Sequence, residues 1–388
     1  MIKILSAIIL LNLSLLGQSF DEFLKEAIKN STYLKSSDLS RLQAKQQGDA
    51  LTRYENPSID VEYSKFSPKN GDDDNGYRIS YTQPLRLWGV GNDKTKLSDA
   101  MIQSANTKKT LNHAEFTCNL SLLYNTYANN KKYLLLGDEE LKIGKRIHNI
   151  SKERYKAGTI SKGELLQANI SHEMTKTKIQ TTKLEATNNY FSLLDYAGST
   201  KEVEIDFTHN FSKEKKRNSN NPDLLYYKQQ QNESLALSQV NSNKLEFIDL
   251  VGEYENEPDQ DIFRIGASIP LAIFDTKSQE KRIAKLESEK FSLLAQNKTK
   301  RLQIQLSKLD KTDVLLNSLK KQHQNTLKLQ LQVLKMFEQG YKIANVNLLE
   351  LQYIQNKLIK TEESLIDIET SLNENAIWHN YITGAYND

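Results

Sequence analysis

Few side chains in this 388-residue chain stand at spacings that do chemistry. His172 and Glu173 are adjacent, but no second histidine follows at the spacing a helix-borne zinc site requires. The other histidines are dispersed, and a lone histidine reads first as a surface or packed residue. Cys118 is the single cysteine, so neither an intrachain disulfide nor a thiolate metal cluster can form. It sits in a helical pattern and reads as a small packing residue. After Met1 the methionines are Met101, Met174 and Met336, too few for a ladder of soft copper ligands. There is no glycine-rich phosphate loop and no nucleophile elbow. These residues argue against an enzyme and call for no cofactor and no resident metal.

Composition limits the remaining classes. The 52 basic side chains nearly cancel the 49 acidic ones, and a net charge of +3 gives no electrostatic case for nucleic acid. With 15 glycines and 6 prolines, turns must be few. Mean hydropathy is −0.62. After the leader no apolar run approaches the ~18 residues of a membrane helix, which excludes a helical transporter. A β-barrel is not excluded, because its short alternating strands scarcely raise mean hydropathy.

The first segment reads as an address. Lys3 is followed by Ile4, Leu5, Ala7, Ile8, Ile9, Leu10, Leu11, Leu13, Leu15 and Leu16. One charge before an apolar stretch of about a dozen residues is the make-up of a Sec leader. Gly17 and Ser19 fit the small-residue sites before a cut, placing the leader at 1–19 and cleavage before Phe20. No cysteine follows the leader, so lipidation of a new N-terminal cysteine is excluded.

The mature chain repeats itself once. Tyr81-Thr82-Gln83-Pro84-Leu85-Arg86-Leu87-Trp88 resembles Ala267-Ser268-Ile269-Pro270-Leu271-Ala272-Ile273-Phe274. The offset that carries Pro84 onto Pro270 also carries Tyr77-Arg78-Ile79 onto Phe263-Arg264-Ile265. Downstream it carries Tyr155-Lys156 onto Tyr341-Lys342 and Glu164-Leu165 onto Glu350-Leu351. One gapless offset divides the chain into repeat 1 at 20–197, a short equatorial segment at 198–221 and repeat 2 at 222–388.

Each repeat opens on a helix and then alternates with period two. Strands are expected at about 57–66, 76–86, 246–255 and 261–273. Ile59, Val61 and Tyr63 alternate with Asp60, Glu62 and Ser64; Phe263, Ile265 and Ala267 alternate with Arg264, Gly266 and Ser268. Strands of about ten residues with one apolar and one polar face suit a tilted barrel wall. Pro84 and Pro270, which lack an N–H, are expected to end the ladders at equivalent places. Long helices follow at 92–155 and 276–340, with apolar residues at heptad spacing such as Phe116, Leu120, Leu123 and Tyr127. About 65 residues at ~1.5 Å each make a rod of roughly 98 Å, a coiled coil or strut. Turns at 156–161 and 342–347 reverse the chain, and helices return; the last has a seam at Leu351, Ile354, Leu358, Leu365, Ile368 and Leu372. Between the repeats, Val203, Ile205 and Phe207 suggest a short strand and 208–221 a polar loop. Asn221-Pro222 then opens a helix that runs to about Leu245.

Four strands cannot close a barrel, and open edges are not tolerated in lipid. Several chains must therefore pool strands, and three would supply twelve, an even number. The alternative is a non-pore periplasmic coiled-coil protein, structural or adaptor in role, carrying two small hairpins.

The chain resembles the outer membrane efflux protein family, the TolC-like trimeric channels, over essentially the whole mature sequence. The marks are the tip motifs Arg154-Tyr155-Lys156-Ala157-Gly158-Thr159-Ile160-Ser161 and Gly340-Tyr341-Lys342-Ile343-Ala344-Asn345-Val346-Asn347, with the strand exits Gln83-Pro84-Leu85 and Ile269-Pro270-Leu271. The resemblance implies a mainly α fold with β: a homotrimeric 12-stranded outer membrane barrel, four strands per chain, on a long periplasmic α-helical coiled-coil barrel. It implies partners in a periplasmic adaptor (membrane fusion) protein, an inner-membrane pump, of RND rather than ABC type, and outer membrane lipid. The missing lipidation cysteine and the Gln-Pro-Leu exit look closer to the heavy-metal (CzcC/CusC-like) branch. Export of small solutes, heavy-metal cations or drugs, is the implied role; type I protein secretion is the near alternative.

Site residues carry over by position. A family carboxylate just after the second tip turn lines the periplasmic constriction; Glu350 stands there, and Glu164 is its repeat mate. A second carboxylate three residues on is replaced by Tyr353. Glu350 reads equally as a solvated charge on a helix flank. The resemblance places adaptor docking at the tips, at Arg154, Tyr155, Gly158, Ser161, Gly340, Tyr341, Ala344 and Asn347. Arg78 and Arg264 face a barrel lumen or pair with Glu62 and Glu253 across their hairpins. Trp88 and Phe274 belong to an interfacial girdle or to the packing where strand meets helix.

Overall fold

The computed structural model of the chain describes residues 17–67, 69, 71–214 and 221–387. Most of the expected leader, 1–16, lies outside the described residues. In chain order the elements are α1 (Phe20–Asn30), α2 (Thr32–Thr52), β1 (Ser58–Phe66), β2 (Asp74–Arg86), α3 (Val90–Lys156) and α4 (Lys162–Ala197). After these come α5 (Pro222–Val240), β3 (Phe247–Glu257), β4 (Gln260–Ser268), α6 (Ser278–Lys342) and α7 (Leu348–Thr383). Among the described residues no helix is long and apolar enough to cross a membrane. The chain divides into two compact units, to both of which α3 and α6 contribute.

The first unit holds 36–111 and 222–300. Its centre is a four-stranded antiparallel sheet in the order β1-β2-β3-β4. Register joins Ile59 to Tyr81, Val61 to Ile79 and Tyr63 to Tyr77, then Ile79 to Tyr254 and Tyr254 to Phe263. Every residue in that chain of pairs is apolar or aromatic, so period two in sequence becomes one apolar face in space. The turn of the second hairpin is Pro258-Asp259, between the paired Glu257 and Gln260. Beside the sheet, Leu97 of α3 packs with Ala236 and Val240 of α5, flanked by Leu51 and Met101.

Three expectations need correction here. The fourth strand ends at Ser268, paired with Asp249, rather than near 273. Pro270 cannot extend the ladder, and Ile269–Phe274 leave the sheet. The prolines do not act equivalently, because β2 runs through Pro84 to Arg86, paired with β3. Pairing of β1 has already stopped at Ser58 with Thr82, so Pro84 sits where β2 has an open edge. The helix from Pro222 also stops at Val240, short of Leu245. Asn241, Ser242 and Asn243 take its last carbonyls, as residues that compete with helical hydrogen bonds do at helix ends.

The second unit holds the described parts of 1–35, 112–221 and 301–388. Its cores are strung along the helices. Phe20, Phe23, Phe116, Leu120, Tyr124, Tyr127, Leu193 and Ile205 form one. Cys118 belongs to a second with Leu302, Ile377 and Tyr381. Burial, and then Glu115, push its thiol up to about 12, which leaves it an inert packing residue. A third, at the chain reversals, joins Ile147, Leu334, Tyr341, Leu348, Leu351 and Leu358.

The opening helix of repeat 1 is broken at Ser31, which ends α1 and whose Oγ accepts from the Leu34 N–H at 3.3 Å. The short strand expected at 203–207 is a single parallel bridge between Ile205 and Gln18. Side chains hold the segment instead: Tyr124 donates to the Asp206 carbonyl at 2.8 Å, and the Phe211 N–H donates to Asn373 Oδ1 at 3.2 Å.

Candidate functional site

The sheet has two unlike faces. On one, Ile59, Val61, Tyr63, Tyr77, Ile79, Tyr81, Leu250, Phe263 and Ile265 are exposed, Ile265 at 92%. A contiguous apolar face of this size, bare on a single chain, marks a surface made for lipid or protein. The other face carries charge. Arg78 pairs with Glu62, and Arg264 with Glu253 and Glu255, so both arginines make the cross-strand ion pairs open to them on the polar face. Trp88 and Phe274 are almost wholly exposed, at 102% and 98%, so neither packs where its strand meets its helix.

At the strand exits the structure adds a network that motif reading passed over. Arg86 donates to the Thr52 carbonyl at 3.1 Å and to Glu55 at 3.2 Å. Lys94 lies 2.9 Å from Glu246, which also pairs with Lys277. Burial opposes ionisation of Glu246, but hydrogen bonds from Lys277 and Lys94 prevail and hold its carboxyl below the usual range. These residues come from five separate stretches of chain, and no local spacing reveals them.

Both chain reversals are built alike. At the first, Gly158 takes φ +72° after α3, with Thr159 N–H bonded to the Arg154 carbonyl at 2.9 Å and Gly158 N–H to the Tyr155 carbonyl at 2.9 Å. At the second, Ala344 takes φ +65° after α6, with Asn345 N–H on the Gly340 carbonyl at 2.8 Å. Each is a Schellman termination, glycine in one copy and alanine in the other. Gly340 is needed for space, since a Cβ there would come 2.5 Å from Val346 Cγ2.

The returning helices open with matched capping boxes. Ser161 Oγ accepts from the Glu164 N–H at 3.1 Å, and the Ser161 N–H donates to Glu164 Oε2 at 3.0 Å. Asn347 Oδ1 accepts from the Glu350 N–H at 2.9 Å, and the Asn347 N–H donates to Glu350 Oε2 at 3.2 Å. Glu164 and Glu350 therefore have a local reason to be glutamates. Glu350 is exposed, whereas Glu164 is half-buried. Tyr353 is exposed one turn on, and the Lys357 ammonium sits 4.5 Å from its ring centroid. The surface beyond Glu350 therefore carries a cation.

Arg154 and Tyr341 join the two tips. Tyr341 is fully buried, its hydroxyl 2.7 Å from Ser151 Oγ. Its repeat mate Tyr155 is exposed. The structure also brings His148 and His172 together, ring centroids 6.1 Å apart, each with a buried Nδ1 that lacks a partner. Sequence order hid that meeting, but Lys145 and Lys176 beside His172 disfavour a cation there, and its imidazole is held below the usual range by burial first. Among the described residues no group of three metal-ligating side chains occurs.

No protein-family model matches the sequence, and no curated protein matches it. Solved structures do match. The Campylobacter jejuni CmeC outer membrane channel superposes with TM-score 0.76 at 15% identity, over 94% of this chain and 85% of that one. CusC, whose crystal structures concern folding and transmembrane channel formation, gives 0.78 at 16%, over 94% and 91%. The open state of the Neisseria gonorrhoeae MtrE outer membrane channel gives 0.71 at 12%, over 94% and 88%. At such identities the likeness is one of fold, and the chain has the fold of the TolC-like outer membrane efflux channels.

Proposed function

We propose that this chain is the outer membrane exit duct of a tripartite efflux system, a passive channel for small solutes, with heavy-metal cations or drugs as cargo. The observation that carries the reading is the sheet: one exposed apolar face, one charged face and two unpaired edges, β1 and β4, in the fold of outer membrane channels. Three chains pairing β1 of one with β4 of the next would close twelve strands and leave no edge in lipid. The apolar face then meets acyl chains, and Arg78 and Arg264 with their glutamates line the lumen. Trp88 and Phe274 would lie in the interfacial girdle.

The remaining parts follow from this assembly. Sec export through the leader delivers the chain to the periplasm. The tips, around Gly158 and Ala344, dock a periplasmic adaptor fed by an inner-membrane pump of RND type. Glu350 from three chains forms an anionic ring that attracts cations at the constriction, with Glu164 close to it. The deciding experiment is isolation of heat-dissociable trimers from outer membranes and their single-channel conductance in planar bilayers. A non-conducting protein recovered from the soluble periplasm would sink the reading and favour the coiled-coil alternative.

A further inference from the structure

Two helices of the second unit carry apolar stripes that their own chain leaves bare. On α4, Ile170, Leu184 and Phe191 are exposed, and the exposed Thr177 completes a run at every seventh residue. The residues α4 buries, such as Ala168, Thr175 and Ala186, each stand two positions from that run, on the opposite side of the helix. On α6, Leu315, Leu329 and Met336 are exposed, and the exposed Gln322 completes the same spacing. Leu327, Leu331 and Leu334, which α6 packs into the core at the chain reversals, again stand two positions away. Single exposed leucines call for no explanation, but a repeat of seven held over four positions is the seam of a coiled coil without its partner. Exposed on both helices, the stripes do not meet within one chain.

The stripes also agree in height. Gln167 of α4 bonds Gln352 of α7 at 3.3 Å, Lys178 lies 2.7 Å from Glu363, and Arg154 reaches the Tyr341 carbonyl, so the two reversals stand level. From them α4 departs at Lys162, and to them α6 arrives at Lys342. At ~1.5 Å per residue, Ile170, Thr177, Leu184 and Phe191 stand about 12, 22, 33 and 44 Å from the reversals. Met336, Leu329, Gln322 and Leu315 stand about 9, 20, 30 and 40 Å from them. One shift of about 3 Å, less than a helical turn, matches all four positions.

A stripe on one helix that fits a stripe on a different helix describes a head-to-tail contact between copies. Rotation about an axis along the helices leaves every height unchanged. Resting on the three-chain reading above, we infer that α4 of each copy packs along α6 of the next, with Ile170 over Met336, Thr177 over Leu329, Leu184 over Gln322 and Phe191 over Leu315. Made three times, the contact closes a ring and covers both stripes of every chain. Thr177 and Gln322 each put one polar residue into a layer, which fixes register and leaves the seam weaker than an all-apolar one.

The test is cross-linking in outer membranes. Cys118 is buried, so Leu184→Cys with Gln322→Cys supplies the only reactive thiols. With a short bis-thiol reagent the double variant is expected to give covalent dimers and trimers on denaturing gels, and each single variant only monomers. Membranes that yield heat-dissociable trimers but no covalent oligomer overturn the inference and leave the channel standing. Covalent dimers from Leu184→Cys alone mean that α4 meets α4, and overturn it too. A chain that forms no trimers overturns both. Leu184→Cys with Met336→Cys is more than three turns out of register, and linking as strong as that of the first pair sinks the proposed register. Trimer stability gives a second reading. Leu184 is 62% exposed in the single chain, so Leu184→Glu spares the chain's own core and should lower the temperature at which trimers dissociate. Gln322→Leu should raise it. Dissociation at the parent's temperature in both variants overturns the seam.

Discussion

Arg154 lies over the ring of Tyr341, its guanidinium carbon 4.5 Å from the ring centroid, while its Nη1 donates to the Tyr341 carbonyl at 3.0 Å. One side chain from the last turn of α3 thus binds both the face and the backbone of the last turn of α6. The repeat supplies no second copy of this contact, because the position equivalent to Arg154 is Gly340. Arg154→Lys keeps the charge but loses the planar stack and the fixed fork, at a cost of about 1 kcal/mol. Tyr341→Phe abandons the bond to Ser151 inside the core for a similar ~1 kcal/mol. Amide hydrogen exchange should accelerate across 150–165 and 338–350 in both variants and stay unchanged in the strands. Uniform exchange over the whole chain would show that the contact does not hold the tips.

The two Schellman turns make opposite predictions for one exchange of residues. Ala344 holds φ +65°, a conformation in which a Cβ is strained, whereas Gly158 holds +72° freely. Ala344→Gly should stabilise the second tip by up to about 1 kcal/mol, and Gly158→Ala should destabilise the first by a similar ~1 kcal/mol. Local exchange protection at each tip measures both. If Ala344→Gly loosens its tip, flexibility gained in the unfolded chain outweighs the strain relieved.

Glu350 has two separable roles, the capping box seen here and the proposed gate. Glu350→Gln preserves the box, since glutamine serves at that position, and removes the charge. Block of conductance by divalent cations should weaken in this variant while thermal stability holds. Unchanged block would take Glu350 out of the constriction. Asn347→Ala instead removes the cap at a cost of about 1 kcal/mol and should leave block largely intact.

Much of this arrangement was legible in the sequence, and the reasons are local. The chain reversals at 156–161 and 342–347 and the alternation of Ile59, Val61 and Tyr63 each fit within a few residues of chain, and one offset exposed the duplication; the capping boxes are equally local but went unread. The failures are non-local or depend on an edge. Pro84 and Pro270 look equivalent until the end of β1 gives only the former an open edge. Arg86, Glu55, Lys94 and Glu246 meet only after folding. Glu362 stood unnoticed among the charges of α7, because nothing in its spacing shows that Glu139 and Glu140 of α3 lie near.

That carboxyl sets a pH dependence. Burial, then Glu139 and Glu140, raise Glu362 from 4.5 to about 7, while Lys178 of α4 is engaged with Glu140 at 3.1 Å and Glu363 at 2.7 Å. Its folded pKa is raised, so the folded state holds a proton that the unfolded state releases above the ordinary carboxylate value. Stability therefore falls as pH climbs from about 4.5 through about 7 and then levels, by on the order of 3 kcal/mol at most. Glu362→Gln should be more stable than the parent at pH 8 and nearly equal to it at pH 4.5, as read by denaturant midpoints. A variant with the parent's full pH slope would place the titration elsewhere.

Trp88 gives the most direct test of the proposed membrane boundary. The chain has two tryptophans, Trp88 and Trp378, and the latter lies on α7 in the other unit. Trp378→Phe leaves Trp88 as the sole emitter, and it is fully exposed just beyond a strand whose apolar side chains are bare. A side chain with an apolar body and one N–H donor prefers the headgroup level of a bilayer. In vesicles of brominated phospholipid the emission of Trp88 should be strongly quenched relative to unbrominated vesicles, with bromines near the headgroup more effective than those near the chain ends. Phe274→Trp in a chain also carrying Trp88→Phe and Trp378→Phe should behave the same way, because the two positions are repeat mates after their strand exits. Emission indifferent to bromine at both positions would mean that the strand exits face water or protein, and the apolar face of the sheet would then have to be covered by protein.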